Sequence, residues 1–262
     1  MITTLRGLGN KLQAYQFMFE ELVKRDFKQK YKRTVLGMVW SILSPLLMMC
    51  VLATIFGNFF GKSIEHYIIY LFSGQIIFNY FTESTNGGMN ALLSNAKIFT
   101  KINVPKYLFL FSKNVSALIN FGIILVIYFI FIWVDGISFT WKFLALLYPI
   151  LCLIFINLGM GLILSALYIF FRDIEYLYRL FTQIVMYGSA IFYNINGLPV
   201  YVQKVFYCNP IFVCISYFRS VVLENTIPEL WLHGLLAGYA IVLFGLGCYV
   251  YKKYNYKFLY YV

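Results

Sequence analysis

Charge is what this chain has least of: only 12% of its 262 residues are Asp, Glu, Lys or Arg, where soluble domains carry about 25%. Carboxylates are scarcer still, ten in all, and histidine occurs twice. So few ligands and acid-base groups leave little from which to build a metal centre or a catalytic pair. His66 and His233 stand alone, and Glu65, Asp135, Glu224 and Glu229 are scattered without a pairing pattern. The five cysteines have no metal spacing. Cys50, Cys152 and Cys248 fall inside apolar runs, where a thiol acts as a small hydrophobe. Cys208 and Cys214 share one later segment, and free thiols are the expectation there as well. No glycine-rich phosphate loop ending in Lys and Ser/Thr is present, so any nucleotide that drives this protein must bind another chain. There is no internal repeat, no low-complexity tract and no polar stretch of domain length.

What fills the chain instead is apolar: 61% hydrophobic residues and 21% aromatic. One soluble core of this size cannot hide so much apolar surface, whereas lipid accepts it. The apolar runs are continuous rather than alternating, which excludes a barrel and predicts an all-α, polytopic membrane protein. A crossing needs about 20 apolar residues. Six candidates meet that need: Val35 to Phe60, Tyr67 to about Ser94, Tyr107 to Val134, Phe143 to Phe171, Leu177 to Phe192 and Leu230 to Tyr251. The second is apolar only to Phe81; Thr82, Glu83, Ser84, Thr85, Asn86, Gly87 and Gly88 then form a polar, small-residue face, expected to pack on protein rather than lipid. Residues 1 to 10 lack the apolar core of a signal peptide, so the first span is expected to act as the insertion signal.

The net charge of +11 does not point to nucleic acid, because the cations cluster between the spans. All Lys and Arg except Lys62, Lys142, Lys204 and Arg219 fall on one side of a six-span layout. The positive-inside rule therefore places both termini in the cytoplasm. Residues 1–34 are expected to be a cytoplasmic segment and residues 35–262 the transmembrane domain. Within the first, Tyr15, Phe19, Val23, Phe27 and Tyr31 recur every four residues, with Leu12 and Leu22 beside them and charge over much of the remaining surface. That pattern predicts an amphipathic helix lying in the membrane interface; packing on a cytoplasmic partner is the alternative. Residues 194–225 are apolar but broken by Gly197, Pro199, Asn209 and Pro210. Their two short pieces, Val200 to Cys208 and Ile211 to Leu223, predict a re-entrant helix pair on the outer side, with a soluble external hairpin as the other reading.

Four stretches carry a family likeness by their order and spacing. A basic run ending at Arg33 meets Leu36-Gly37-Met38-Val39-Trp40-Ser41-Ile42-Leu43-Ser44-Pro45-Leu46. Next come the Pro-broken connector Lys97 to Lys106, then Phe170-Phe171-Arg172-Asp173-Ile174, then Asn209-Pro210. Together, from Leu22 to the C-terminus, they resemble the permease subunit of bacterial type 2 ABC exporters, most closely the branch exporting O-antigen, capsule and teichoic acid. The resemblance implies a homodimer of six-helix subunits with two ATP-binding subunits, which hold ATP and Mg; no cofactor is expected in this chain. It implies that the connector (95–107), through Ile98, Phe99, Thr100, Lys101, Ile102, Asn103, Val104, Pro105 and Lys106, docks on the ATPase, with Arg172 and Asp173 holding the neighbouring loop or touching the same partner. Where the family ends its connector on a Phe-Pro-Arg-like turn, this chain has Val104-Pro105-Lys106.

The same likeness assigns the substrate side. The first and fifth spans border the channel in such exporters, and sugars stack on aromatic rings. Trp40, Phe78, Tyr80, Phe81, Tyr187, Phe192 and Tyr193 are thus candidates to line it; lipid-facing rings and interfacial belts are the plainer role for each. Lys30, Lys32 and Arg33 are expected at the phosphate of a lipid carrier or at anionic lipid. The expected function is ATP-driven export of a lipid-linked polysaccharide. A permease for a small drug or peptide and a membrane-embedded glycosyl- or acyltransferase stand as alternatives.

Overall fold

A computed structural model of the chain describes residues 2–31, 37–60, 64–102 and 104–261. Lys32, Arg33 and Asn103 lie outside the described residues, as does the side chain of Lys30. The described residues are helical, with no strand among them. The helices are α1 (Ile2–Tyr31), α2 (Trp40–Phe60), α3 (Tyr67–Ser94), α4 (Ala96–Phe99) and α5 (Tyr107–Val134), followed by α6 (Leu147–Phe170), α7 (Ile174–Tyr187), α8 (Val200–Phe206), α9 (Pro210–Val222) and α10 (Leu230–Tyr254). A 3-10 turn, Trp141–Leu146, leads into α6, and another, Lys257–Tyr260, follows α10.

Four of these stretches are long and apolar enough to cross a membrane: Trp40–Gly57, Tyr107–Val134, Trp141–Phe170 and Leu230–Tyr254. The protein is a multi-pass membrane protein, but the six-span expectation rests on two further helices that fall short. α3 has 28 residues, ample length, yet its second half is too polar. α7 has 14 residues, about 21 Å at 1.5 Å per residue, against a hydrocarbon core of about 30 Å. It stops early because Gly188 and the left-handed Ala190 (φ 48°) turn the chain.

The centre of the molecule is α3, α5, α6 and α10, and glycine sets how closely they approach. A methyl group on Gly159 of α6 would stand 2.4 Å from the Leu243 carbonyl oxygen of α10, and one on Gly88 of α3 would stand 2.9 Å from the Gly161 Cα. Between helices bathed in lipid, such backbone approach supplies the packing that hydrophobicity does not. The rings of Phe72, Phe131 and Tyr128 fill the α3–α5 seam edge to face, with centroids 5.5 and 5.7 Å from Phe72.

α9 enters this centre as a plug. Ile211, Val213, Cys214, Ile215 and Val221 are at most 1% exposed. Its start is fixed by the Asn-Pro pair: Asn209 Oδ1 accepts from the Ile211 amide at 3.0 Å, and Pro210 occupies the first turn, where no amide donor is missed. α8 and α9 meet at 103°, so the two short apolar pieces are helices within a residue or two of their expected bounds. Cys208 is exposed, Cys214 buried, and both are free.

Arg219 of α9 is also buried. It donates to the carbonyls of Tyr70, Ala190 and Ile191 at 2.9 to 3.3 Å and lies 3.4 Å from the Tyr70 ring centroid. One side chain thus ties α9 to α3 and to the turn after α7.

Candidate functional site

Beside this scaffold runs a polar groove of about 750 Å³ between α2, α3 and α5. Helical periodicity builds each wall. α2 presents Trp40, Ser44 and Met48 at successive turns, with Ser41 and Pro45 beside them. α3 presents Gln75, Asn79, Thr82, Glu83 and Asn86, and α5 adds Asn120 and Ile124. This is the polar continuation of the second apolar run, and it faces protein and cavity, as its composition requires.

The groove's side chains are oriented by their own backbone and by one another. Gln75 donates to Asn79 at 3.0 Å, Thr82 to the Phe78 carbonyl at 3.1 Å, and Asn86 to the Thr82 carbonyl at 2.8 Å. Asn120 Nδ2 donates to Glu83 Oε2 at 2.9 Å across the α3–α5 seam. The buried Oε1 of Gln75 has no hydrogen-bond partner among the described residues. The result is a run of amide and hydroxyl groups with one carboxylate, suited to exchanging hydrogen bonds with a hydroxyl-rich solute. It has no arrangement for covalent chemistry, and among the described residues no group of three His, Cys, Asp or Glu side chains is placed to hold a metal.

Glu83 also lines a second cavity of about 540 Å³, with Arg25, Asp26 and Gln29 of α1 and Lys113 of α5. Its centre is Asp26, whose carboxylate accepts from Arg25 at 2.7 Å, Lys113 at 3.1 Å and Ser112 at 3.1 Å. The apolar ridge of α1 is therefore only part of its docking face: Leu22, Val23 and Asp26 are buried, whereas Phe17 is exposed and Phe19 and Phe27 are half-buried. An ion cluster with two cations on one carboxylate fixes α1 to α5.

Of the aromatic candidates, Trp40 alone is placed in the groove. Phe78, Tyr80 and Phe81 are buried in the scaffold: Tyr80 packs tilted against Phe121 at 4.9 Å and donates to Asn114, which in turn donates to Ser84. Tyr187 is exposed. Phe192 stacks on Phe56 of α2 at 4.9 Å, and Tyr193 donates to the Tyr187 carbonyl at 2.7 Å while its own carbonyl accepts from Tyr70. The Phe192 ring thus holds the turn after α7 against α2, and the Tyr67 and Tyr70 hydroxyls hold its backbone to α3. In this chain the groove's chemistry lies in amides and hydroxyls on α2, α3 and α5, with the Glu83 carboxylate.

The connector candidates come together at one end of the bundle. In and after the four-residue α4, Thr100, Lys101 and Ile102 are exposed, Ile98, Val104, Pro105 and Lys106 are half-buried, and Phe99 is buried against Phe109. Arg172 and Asp173 are exposed between α6 and α7, the Arg172 guanidinium lying 5.5 Å from the Tyr168 ring centroid. Sequence reasoning did not single out Asp26, Asn120 or Gln75. The signal for Asp26 was present, an acid at the i+4 position from Leu22 among the basic residues Lys24, Arg25 and Lys28.

Residues 18–223 match the family described as ABC-2 type transporter. An O-antigen export system permease protein RfbA of Klebsiella pneumoniae is 26% identical over 247 residues, covering 92% of this chain and 95% of that protein. The RfbA protein of Myxococcus xanthus is 24% identical over 240 residues, covering 90% and 92%. The polysialic acid transport protein KpsM of Escherichia coli is 21% identical over 236 residues, covering 89% and 92%.

Proposed function

The chain belongs to the ABC-2 type transporter family, and from that premise we propose that it is the membrane-spanning subunit of an exporter of cell-surface polysaccharide. The polymer crosses the bacterial cytoplasmic membrane outward, and ATP hydrolysis with Mg in a separate ATP-binding chain drives it. The observation that carries this reading is the groove between α2, α3 and α5: a hydroxyl-rich polymer needs a hydrogen-bonding path through the apolar layer, and Ser41, Ser44, Gln75, Asn79, Thr82, Asn86 and Asn120 offer one. The relatives over nearly the whole chain length, whose names speak of O-antigen export and polysialic acid transport, support the same substrate class.

The finer assignments follow from the family. Two copies pair, and the exposed apolar faces of α2 and α7 are the surfaces they share. α2, α3, α5, α6, α7 with its following turn, and α10 make six crossings, with both termini cytoplasmic and α8–α9 re-entrant from the outer side. α1 lies in the inner interface, held by Asp26. Two ATP-binding subunits dock on the exposed connector residues Thr100 to Ile102, with Arg172 and Asp173 alongside. The substrate is carried on a lipid whose phosphate meets Lys30, Lys32 and Arg33.

The test is reconstitution in proteoliposomes with the ATP-binding chain encoded beside it and a lipid-linked glycan. ATP-dependent appearance of polymer on the far side is the expected result. Export of small dyes or peptides with no movement of glycan would overturn the substrate class. Transferase turnover without an ATP-binding partner would overturn the transport reading altogether.

A further inference from the structure

Lys106 closes the connector, yet its ammonium turns toward the end of the last long helix. Nζ donates to the Asn255 carbonyl at 2.8 Å, and Asn255 is the residue that terminates α10. Carbonyls at a helix C-terminus lack intrahelical donors, and the helix dipole favours a cation there. The same ammonium lies 5.8 Å from the Phe99 ring centroid and 5.6 Å from that of Phe258, within cation–π range. Phe99 ends α4, and Phe258 belongs to the turn after α10, fully buried and packed on Tyr251 and Phe170. Burial among these rings pushes the Lys106 ammonium pKa below its ordinary value.

We infer that Lys106 is a positioning residue, the joint that makes the connector and the C-terminal end of α10 move as one body. The inference rests on the connector being the element that receives motion from the ATP-binding chain. A connector held only by its own chain would pass motion to α3 and α5, the helices it links. Clamped by Lys106, it also drives α10, and through the backbone contact at Gly159 it drives α6. The exposed side of the connector, Thr100 to Ile102, stays free for the partner. The Lys at the end of Val104-Pro105-Lys106 thus faces inward, and the sequence departure there concerns the chain's own assembly.

The experiment uses the complete complex with its ATP-binding chain, with ATP hydrolysis, polymer export and partner affinity measured in parallel. The wild-type ratio of export to ATP hydrolysis is measured first, and Lys101→Glu on the exposed side of the connector, read as partner affinity, tests the connector reading by itself. Lys106→Met keeps an apolar stem and removes the donor and the charge. It is expected to assemble and hydrolyse ATP normally while export per ATP falls about tenfold, a size usual for coupling between sites. Lys106→Arg, which keeps a cation and a donor, is expected to restore most of the ratio. Phe258→Leu, which removes one ring of the clamp, is expected to fall between them. Unchanged export per ATP in Lys106→Met would overturn the inference. So would weakened binding of the ATP-binding chain, which would make Lys106 a partner contact, or a loss of folded protein with the ratio intact in what remains.

Discussion

α7 and α9 are nearly equal in length, 14 and 13 residues, and both are dominated by apolar and aromatic side chains. They nevertheless sit at opposite extremes of packing. On α9 ten residues are buried, while on α7 Tyr178 alone is, with Leu177, Leu180, Ile184 and Tyr187 between 58% and 72% exposed. In a chain solvated by lipid, apolarity does not decide which helix is inside. Polar staples do that here. Arg219 and Asn209 bind α9 to α3 and to the end of α7, whereas the body of α7 is held by isolated hydrogen bonds, from the Tyr178 hydroxyl to Thr85 of α3 and from the Tyr168 hydroxyl of α6 to Glu175.

The largest effect should come from removing the staple of the buried helix. Arg219→Met removes the guanidinium bonds to the carbonyls of Tyr70, Ala190 and Ile191, of which Tyr70 keeps the Ser73 hydroxyl and Ala190 the Tyr70 hydroxyl as donors. With each lost bond to the charged group worth about 1.5–3 kcal/mol, a total of about 4 kcal/mol is expected. Loss of folded protein in detergent, or a lowered unfolding midpoint, is the measurement. A midpoint within error of wild type would mean α9 is held by shape alone. Asn209→Ala comes next. It removes the cap on the Ile211 amide and the donations to the Gly188 carbonyl and Ser189, and about 2 kcal/mol is expected in the same assay. Because Asn209 joins the two helices, this variant should also raise proteolysis in the 188–209 segment. Tyr178→Phe tests the tie of α7 to α3. It loses the bond to Thr85 and keeps the ring, for about 1 kcal/mol.

How far the sequence foretold this contrast depends on the range of the interactions. α3 and α5 occupy the residues expected of them, Tyr67–Ser94 and Tyr107–Val134, because apolar runs bounded by polar residues and by Pro105 are local signals. The α8–α9 break was legible for the same reason, since Asn209-Pro210 both ends one helix and caps the next. α7 was expected to reach Phe192 and stops at Tyr187, where the turn is held by contacts from Tyr67 and Tyr70, more than 100 residues away in sequence. The site divides similarly. The polar face after Phe81 was visible as a break in hydropathy, but its partners Ser41 and Asn120 belong to other helices and become part of a groove only through packing. Tyr80 and Phe81 are channel candidates by the family likeness and are buried in the core by contact. Arg219 was counted as an outer-side charge; nothing local marks it as a staple, because every acceptor it uses lies at least 28 residues away.

The smallest effect on the fold should come from enlarging the exposed face of α7, and it is the one that separates lipid from protein as the neighbour of that face. Ile184 is 72% exposed, so Ile184→Trp has room within the single chain and should move its unfolding midpoint by less than about 0.5 kcal/mol. Lipid tails rearrange around an added indole, whereas a packed interface between two copies does not, because interiors cannot absorb large volume changes. The dimer association constant in lipid nanodiscs, derived from mass photometry, is therefore expected to fall at least about tenfold, which corresponds to about 1.4 kcal/mol, while the monomer stays folded. A variant that dimerises normally would assign the α7 face to lipid and leave pairing to α2. If the monomer loses as much stability as Tyr178→Phe does, α7 is packed within its own chain, and its contrast with α9 is one of degree.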